Sequence, residues 1–206
     1  ITIVTAGERG HPEAEALGVS FILARLAQEN YLAVLEPLIG AGDFLLNVSV
    51  EVSSAALIAF CHRRGALYLD TCIEPWPGGY TDPALTASRR SNYALREEAL
   101  ALRSTLGAGP TAVLTHGANP GLVSHFVKEA LLQLAAGVGA AVPAPQGRGE
   151  WAALAHRLGV KVIHIAERDT QVSAAPKRRD EFVNTWSIDG FVGEGQQPAE
   201  LGWGSH

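Results

Sequence analysis

Apolar positions along the first two thirds of the chain fall into short runs separated by stretches of helical spacing. Ile1–Val4 is a β-branched run of strand length, and Val19–Leu23 reads as a second strand. From Gln28 to Ile39 the apolar residues Tyr31, Leu35 and Leu38 recur at helical spacing, and Gly40-Ala41-Gly42 ends the run. Phe44–Val50 is an apolar run suited to a parallel strand covered on both faces. Ser53 is a good N-cap for a helix extending through Arg64, and Gly65 stands where a C-cap glycine belongs. Ala66–Thr71 predicts the next strand, Ser91–Leu106 a long polar helix, Thr111–Thr115 a strand, and residues 121–136 a further helix. Strand alternates with helix, which predicts an α/β fold built on a doubly wound parallel sheet.

The pattern then changes. Residues 137–150 are rich in Gly, Pro and Ala with little periodicity, as in a linker or surface loop. Trp151–Leu158 predicts a short helix. Beyond it Val160–Ala166, Gln171–Ser173, Phe182–Ile188 and Phe191–Val192 read as strands with no clear helices between them. The expectation is a partial nucleotide-binding sheet over residues 1–136 and the start of a second, α+β domain over 151–206.

A Rossmann-like sheet opens with a strand, a G-x-G-x-x-G turn and a helix. Gly40-Ala41-Gly42 is the sole candidate and fails twice: Leu45 occupies the third glycine's place, and the glycines follow a helix and precede a strand. The first βα unit is therefore expected upstream of Ile1. Ile1–Val4 would then be the second strand, yet Thr5-Ala6-Gly7-Glu8 offers only Glu8 as a substitute for the usual ribose-binding acid. The absence of any Met and the direct opening on Ile-Thr-Ile-Val fit an internal piece of a longer protein.

Charge and composition narrow the chemistry. A formal net charge of -5 carries no electrostatic footprint for nucleic acid but suits cationic ligands. Cys61 and Cys72 alone imply no disulfide framework and fit a reducing cytoplasm. No apolar run approaches the roughly 20 residues that span a bilayer, so no membrane partner is expected. His116 and His125 have no Cys partners at zinc spacing, so no metal is expected.

Ligands of open α/β sheets bind outside the carboxyl ends of the strands. Three successive strands here deliver polar residues to that edge: Asn47 and Ser49, then Asp70-Thr71-Cys72-Ile73-Glu74-Pro75-Trp76, then His116-Gly117-Ala118-Asn119-Pro120-Gly121. Asn47, Ser49 and Thr71 are cofactor-contact candidates on strand-end logic. Asn119-Pro120-Gly121 can be either a site loop or a plain helix-start turn capped by Asn119.

The run from Asp70 to Tyr80 resembles a signature of the bacterial homospermidine synthases, within the saccharopine-dehydrogenase-like group. So do the segments 116–126, 164–171, 184–187 and 190–195. The resemblance implies an NAD-dependent enzyme acting on putrescine, with a Rossmann domain, a second domain closing over the substrate, and a homodimeric state. It implies that a diamine is oxidised to an imine, a second amine adds to the imine carbon and expels ammonia (or diaminopropane, where spermidine is the donor), and the new Schiff base is reduced again to homospermidine. It assigns Glu74, Glu167 and Glu194 as acidic site residues, Trp186 as an aromatic against the substrate cation, and Asn119 as a polar residue near the nicotinamide, with Pro120 on the cofactor side. A saccharopine- or carboxynorspermidine-type dehydrogenase would instead need a cation such as Arg168 in the pocket to hold a carboxylate. A non-catalytic module that binds polyamine is the other alternative.

Overall fold

The computed structural model describes residues 1–140, 142–168, 170–183 and 188–196, with the side chains of 189, 190, 193 and 194 left aside. Among the described residues five short strands form two parallel sheets. In the first, β1 (Thr2–Thr5) pairs with β2 (Ser20–Leu23) in the register Thr2 to Ser20. In the second, β3 (Phe44–Asn47), β4 (Leu67–Asp70) and β5 (Ala112–Val113) lie side by side in that order. Phe44 is level with Leu67, Asn47 with Asp70, and Tyr68 with Ala112.

Among the described residues four α-helices join the strands, and three more follow β5. They are α1 (His11–Ala16), α2 (Tyr31–Leu35), α3 (Ser54–Arg64), α4 (Asn92–Leu106), α5 (Leu122–Gly137), α6 (Arg148–Arg157) and α7 (Ile188–Gly195). The α/β class and the parallel, Rossmann-like alternation agree with the sequence pattern. The ends of α3 form as the sequence requires. Ser53 Oγ accepts the Ala56 N–H at 3.3 Å, and Gly65 closes the helix with φ 73°. Cβ sterics make that backbone costly for other residues. Arg64, in the last turn, donates to the carbonyls of Ile39 at 2.9 Å and Glu36 at 3.1 Å, tying α3 to the turn after α2.

One face of the second sheet carries the core. Alternation along β3 and β4 puts Leu45, Asn47, Tyr68 and Asp70 on the same face. Phe60, Cys61 and Leu57 of α3 pack there with Tyr68, Ile73, and Ala99 of α4. On the opposite face Phe44 and Leu46 stay more than half exposed, so the covering on both faces expected for this strand is not met among the described residues. A second cluster joins Leu131 and Ala135 of α5 to Leu154 of α6, with Trp151 and Val160 against it.

Three expectations need correction. The helix expected over 28–39 contracts to Tyr31–Leu35. Asn30 bridges the Ala27 N–H and the Arg25 carbonyl and holds the entry in a turn, while Pro37 has no N–H to continue the ladder. Helix α1 was absent from the apolar pattern because only Ala14 of its residues is buried; it starts on Pro12 and Glu13 instead. The strands expected over 160–166 and 171–173 do not form; of the one expected over 182–188, residues 182–183 carry no strand, 184–187 lie outside the described residues and Ile188 opens α7, which also holds Phe191 and Val192. A strand exists only through a paired neighbour, and none stands beside these segments among the described residues.

The two sheets are separate. Both β1 and β3 line a cleft of about 730 Å³, with Thr5, Ala6, Asn47, Ser49 and Val52 among its walls.

Candidate functional site

The carboxyl ends of β3, β4 and β5 lie side by side, and a chain of hydrogen bonds crosses all three. At the end of β3, the Asn47 carboxamide oxygen accepts both the backbone N–H of Ser49, at 3.2 Å, and the Ser49 hydroxyl. Its nitrogen donates to the Tyr68 hydroxyl at 3.2 Å. Tyr68 in turn donates to Asp70 Oδ2 at 2.9 Å, and the Thr115 N–H donates to Asp70 Oδ1. The His116 N–H adds a 2.9 Å bond to the Asp70 carbonyl. Asn47, Tyr68 and Asp70 are all buried, so each polar atom needs its partner.

Glu74 sits just beyond β4 and is only 6% exposed. Its backbone exchanges two bonds with Ser54 at the start of α3: Glu74 N–H to Ser54 Oγ at 3.1 Å, and Ser54 N–H to the Glu74 carbonyl at 2.9 Å. Its carboxylate accepts the Glu51 N–H at 3.2 Å. Burial pushes the Glu74 carboxyl up to about 7, and the charges of Glu51 and Asp70 add to the rise. Hydrogen bonds from Glu51 and Tyr80 oppose it. Glu51, Trp76, Gly78 and Tyr80 line a shallow recess beside it. Glu51 has φ 60°, an uncommon backbone for glutamate, and an exposed 3.5 Å contact with Arg25 that adds little stability.

The loop after β5 is built for close approach. A Cβ on Gly117 would lie 2.7 Å from the Thr71 carbonyl, so only glycine lets this loop touch the end of β4. The Gly117 N–H donates to the Pro120 carbonyl at 2.9 Å, and the Asn119–Pro120 peptide is cis. Asn119 and Pro120 are exposed, so the loop presents them outward, and α5 begins at Leu122.

The sequence candidates therefore divide. Asn47, Ser49, Thr71, Glu74, Asn119 and Pro120 all belong to this one strand-end edge. Asn47 turns its amide inward, while Ser49 is exposed and Thr71 half-buried. Glu167 is exposed in a stretch without regular structure. Trp186 lies outside the described residues, and Glu194 falls in α7, where its side chain is not described. Sequence reasoning passed over Tyr68, Ser54 and the carboxylate of Asp70. The available signal was two polar groups on the inward face of an otherwise apolar strand, which demand buried partners. Among the described residues no three His, Cys, Asp or Glu side chains gather to hold a metal, and no helix is long and apolar enough to cross a membrane.

This geometry agrees with what the chain is similar to. A family model for the saccharopine dehydrogenase NADP binding domain matches residues 1–113, and one for the saccharopine dehydrogenase C-terminal domain matches residues 117–206. A homospermidine synthase of Blastochloris viridis is 51% identical over 208 residues, covering 100% of this chain and 44% of the relative. One from Mesorhizobium japonicum is 47% identical over 194 residues, covering 92% of this chain and 40% of the relative. The crystal structure of the homospermidine synthase from Legionella pneumophila, in complex with NAD, matches with TM-score 0.77 and 45% identity, covering 94% of this chain and 40% of that one. The chain thus spans about two fifths of the length of these relatives. The kinship read from the Asp70–Tyr80 and His116–Phe126 motifs is borne out, and the chain belongs to the saccharopine dehydrogenase family.

Proposed function

We propose that this chain is part of an NAD-dependent homospermidine synthase and supplies its strand-end cofactor edge and the acid Glu74. The observation that carries the reading is the buried Glu74 carboxyl, raised to about 7 beside Trp76 and Tyr80. It occurs in a chain 51% identical to one homospermidine synthase. A carboxyl poised near neutrality can give and take a proton at an amine or imine nitrogen of the substrate. The negative charges of Glu51 and Asp70 around it favour an ammonium group over an anion.

Ser49 and Thr71 offer hydroxyls at the edge where NAD would lie. Asn47 acts behind Ser49 by fixing its orientation. When bound, NAD supplies reversible oxidation of the diamine, so that redox is balanced within one turnover. Asn119 and Pro120 form the loop facing the nicotinamide end. Glu167 and Glu194 anchor the distal ammonium groups, and Trp186 offers an indole face to the cation. The closed pocket keeps water from the imine. The residues fit NAD at the strand ends but not at its pyrophosphate, because no turn from strand to helix carries G-x-G-x-x-G: the one between β1 and α1 has Thr5 in the first glycine's place, with only Gly7 and Gly10. Among the described residues β1 and β3 each have an unpaired edge, and both line one cleft. One further parallel strand would fill it and, in a Rossmann sheet, would bring that turn. The division into a cofactor part over 1–136, a linker over 137–150 and a substrate part over 151–206 belongs to the same proposal, as do a homodimer and a cytoplasmic location.

Incubating the full-length parent protein with putrescine and NAD, then separating the amines by mass spectrometry, tests the reading. Homospermidine and ammonia should appear. Turnover of saccharopine or carboxynorspermidine in place of putrescine would mark an amino-acid-type dehydrogenase, and putrescine bound but unchanged would mark a binding module.

A further inference from the structure

The hydrogen bonds across the three strand ends have a single, determined sense. Asn47 Oδ1 accepts twice from Ser49, so the amide orientation is fixed and Nδ2 must face Tyr68. Tyr68 oxygen then accepts from Asn47, and its one proton goes to Asp70. Asp70 is fully buried and accepts on both oxygens, from Tyr68 on one and from the Thr115 N–H on the other. Ser54 also hydrogen-bonds to Asp70 and, through its Oγ and N–H, holds the backbone of Glu74. Thr115 has φ 52°, an uncommon conformation for a β-branched residue, and it opens the loop that carries Asn119. One carboxylate therefore touches, directly or through one residue, the end of β3, the start of α3, Glu74 and the loop after β5.

We propose that Asp70, with Tyr68, is a positioning residue for the reaction, holding the Asn119 loop and Glu74 in a fixed relation. The proposal rests on the reading of Asn119 and Glu74 as site residues. Asp70 has no exposed surface and so acts only through these neighbours. An isosteric Asp70→Asn change keeps the volume but breaks the sense of the chain. Its NH2 must face either the Thr115 N–H, donor against donor, or Tyr68, whose proton must then leave Asp70 and turn to Ser54, the other hydroxyl in reach. Misplacement of a catalytic group by about 1 Å can cost on the order of 10²-fold in rate.

The test is a double-mutant cycle in the full-length protein with putrescine and NAD, comparing Asp70→Asn, Asn119→Ala and the pair. Expected is a fall in kcat of about 10²-fold for Asp70→Asn with KM for putrescine little changed. In the pair, Asp70→Asn should cost much less on top of Asn119→Ala, because a loop without Asn119 has less to lose from being misplaced. Tyr68→Phe removes one hydroxyl, keeps the ring, and serves in the same cycle should Asp70→Asn not fold. If Asn119→Ala slows the enzyme while the Asp70 and Tyr68 changes leave kcat unaltered or multiply independently with it, the positioning role is overturned and the site reading stands. If Asn119→Ala turns over at the unsubstituted rate, the site reading itself has failed, and the proposal falls with it.

Discussion

Replacing Glu74 by glutamine in the full-length protein should remove the acidic limb of its pH–rate profile. Glutamine keeps the volume and can still accept the Glu51 N–H, so the change isolates the ionisation. Burial, first among the causes, raises the carboxyl from 4.5 to about 7. At roughly 1.36 kcal/mol per pH unit, ionising it in place costs about 3 kcal/mol more than in water. The folded-state pKa lies above the unfolded one. The group's contribution to stability is therefore whole below pH 4.5 and is lost as pH rises through about 7. The glutamine variant has no such loss. Its stability relative to the unsubstituted protein should rise by up to about 3 kcal/mol across that window and then level off. Activity should move oppositely. If the carboxylate is the base, kcat/KM of the unsubstituted enzyme falls tenfold per pH unit below about 7. The variant should be slower by about 10²–10⁴-fold at alkaline pH, without that limb. Steady-state kinetics and thermal unfolding across the pH range measure both. A variant that keeps the acidic limb, or a stability difference that does not vary with pH, would refute the reasoning.

Trp186→Phe should retain much of the activity and Trp186→Ala lose most of it, since a desolvated cation–π contact is worth about 1–2 kcal/mol; equal loss in both, with matching loss of stability, would make Trp186 a core residue. Glu194→Gln should impair diamine turnover more than NAD retention, and a variant that loses NAD but turns over putrescine normally at saturating NAD would refute the assignment. The 206-residue chain alone should bind NAD poorly, because Gly40-Ala41-Gly42 lies between α2 and β3 and cannot serve as the phosphate turn. Micromolar binding in calorimetry by the folded, monomeric chain would contradict that.

The parallel α/β frame was legible because its signals are local. The Ser53 cap and the Gly65 stop need no distant partner to be read, and both form where expected. The strand-end edge was legible for a related reason: topology alone places the residues after β3, β4 and β5 together. What escaped depends on neighbours. Helix α1 buries little and leaves no apolar stripe, and the segments after Val160 carry strand composition with no strand to pair with among the described residues. The Tyr68–Asp70 pair looked like ordinary strand residues because its meaning lies in Asn47, 21 positions before Tyr68, and Thr115, 45 after Asp70. Glu74 was named from its motif, but its raised pKa follows from burial against α3, which no motif states.

In the proposed reaction, amine oxidation and imine reduction occur within one closed site, so that the cofactor is regenerated each turnover. Putrescine carrying deuterium on both amine-bearing carbons, incubated with the full-length protein and unlabelled NAD, tests it most directly. Homospermidine should keep its full complement of deuterium, with no accumulation of reduced cofactor. Reduced cofactor building up in step with putrescine loss, or homospermidine whose label has washed out into the free cofactor pool, would contradict it.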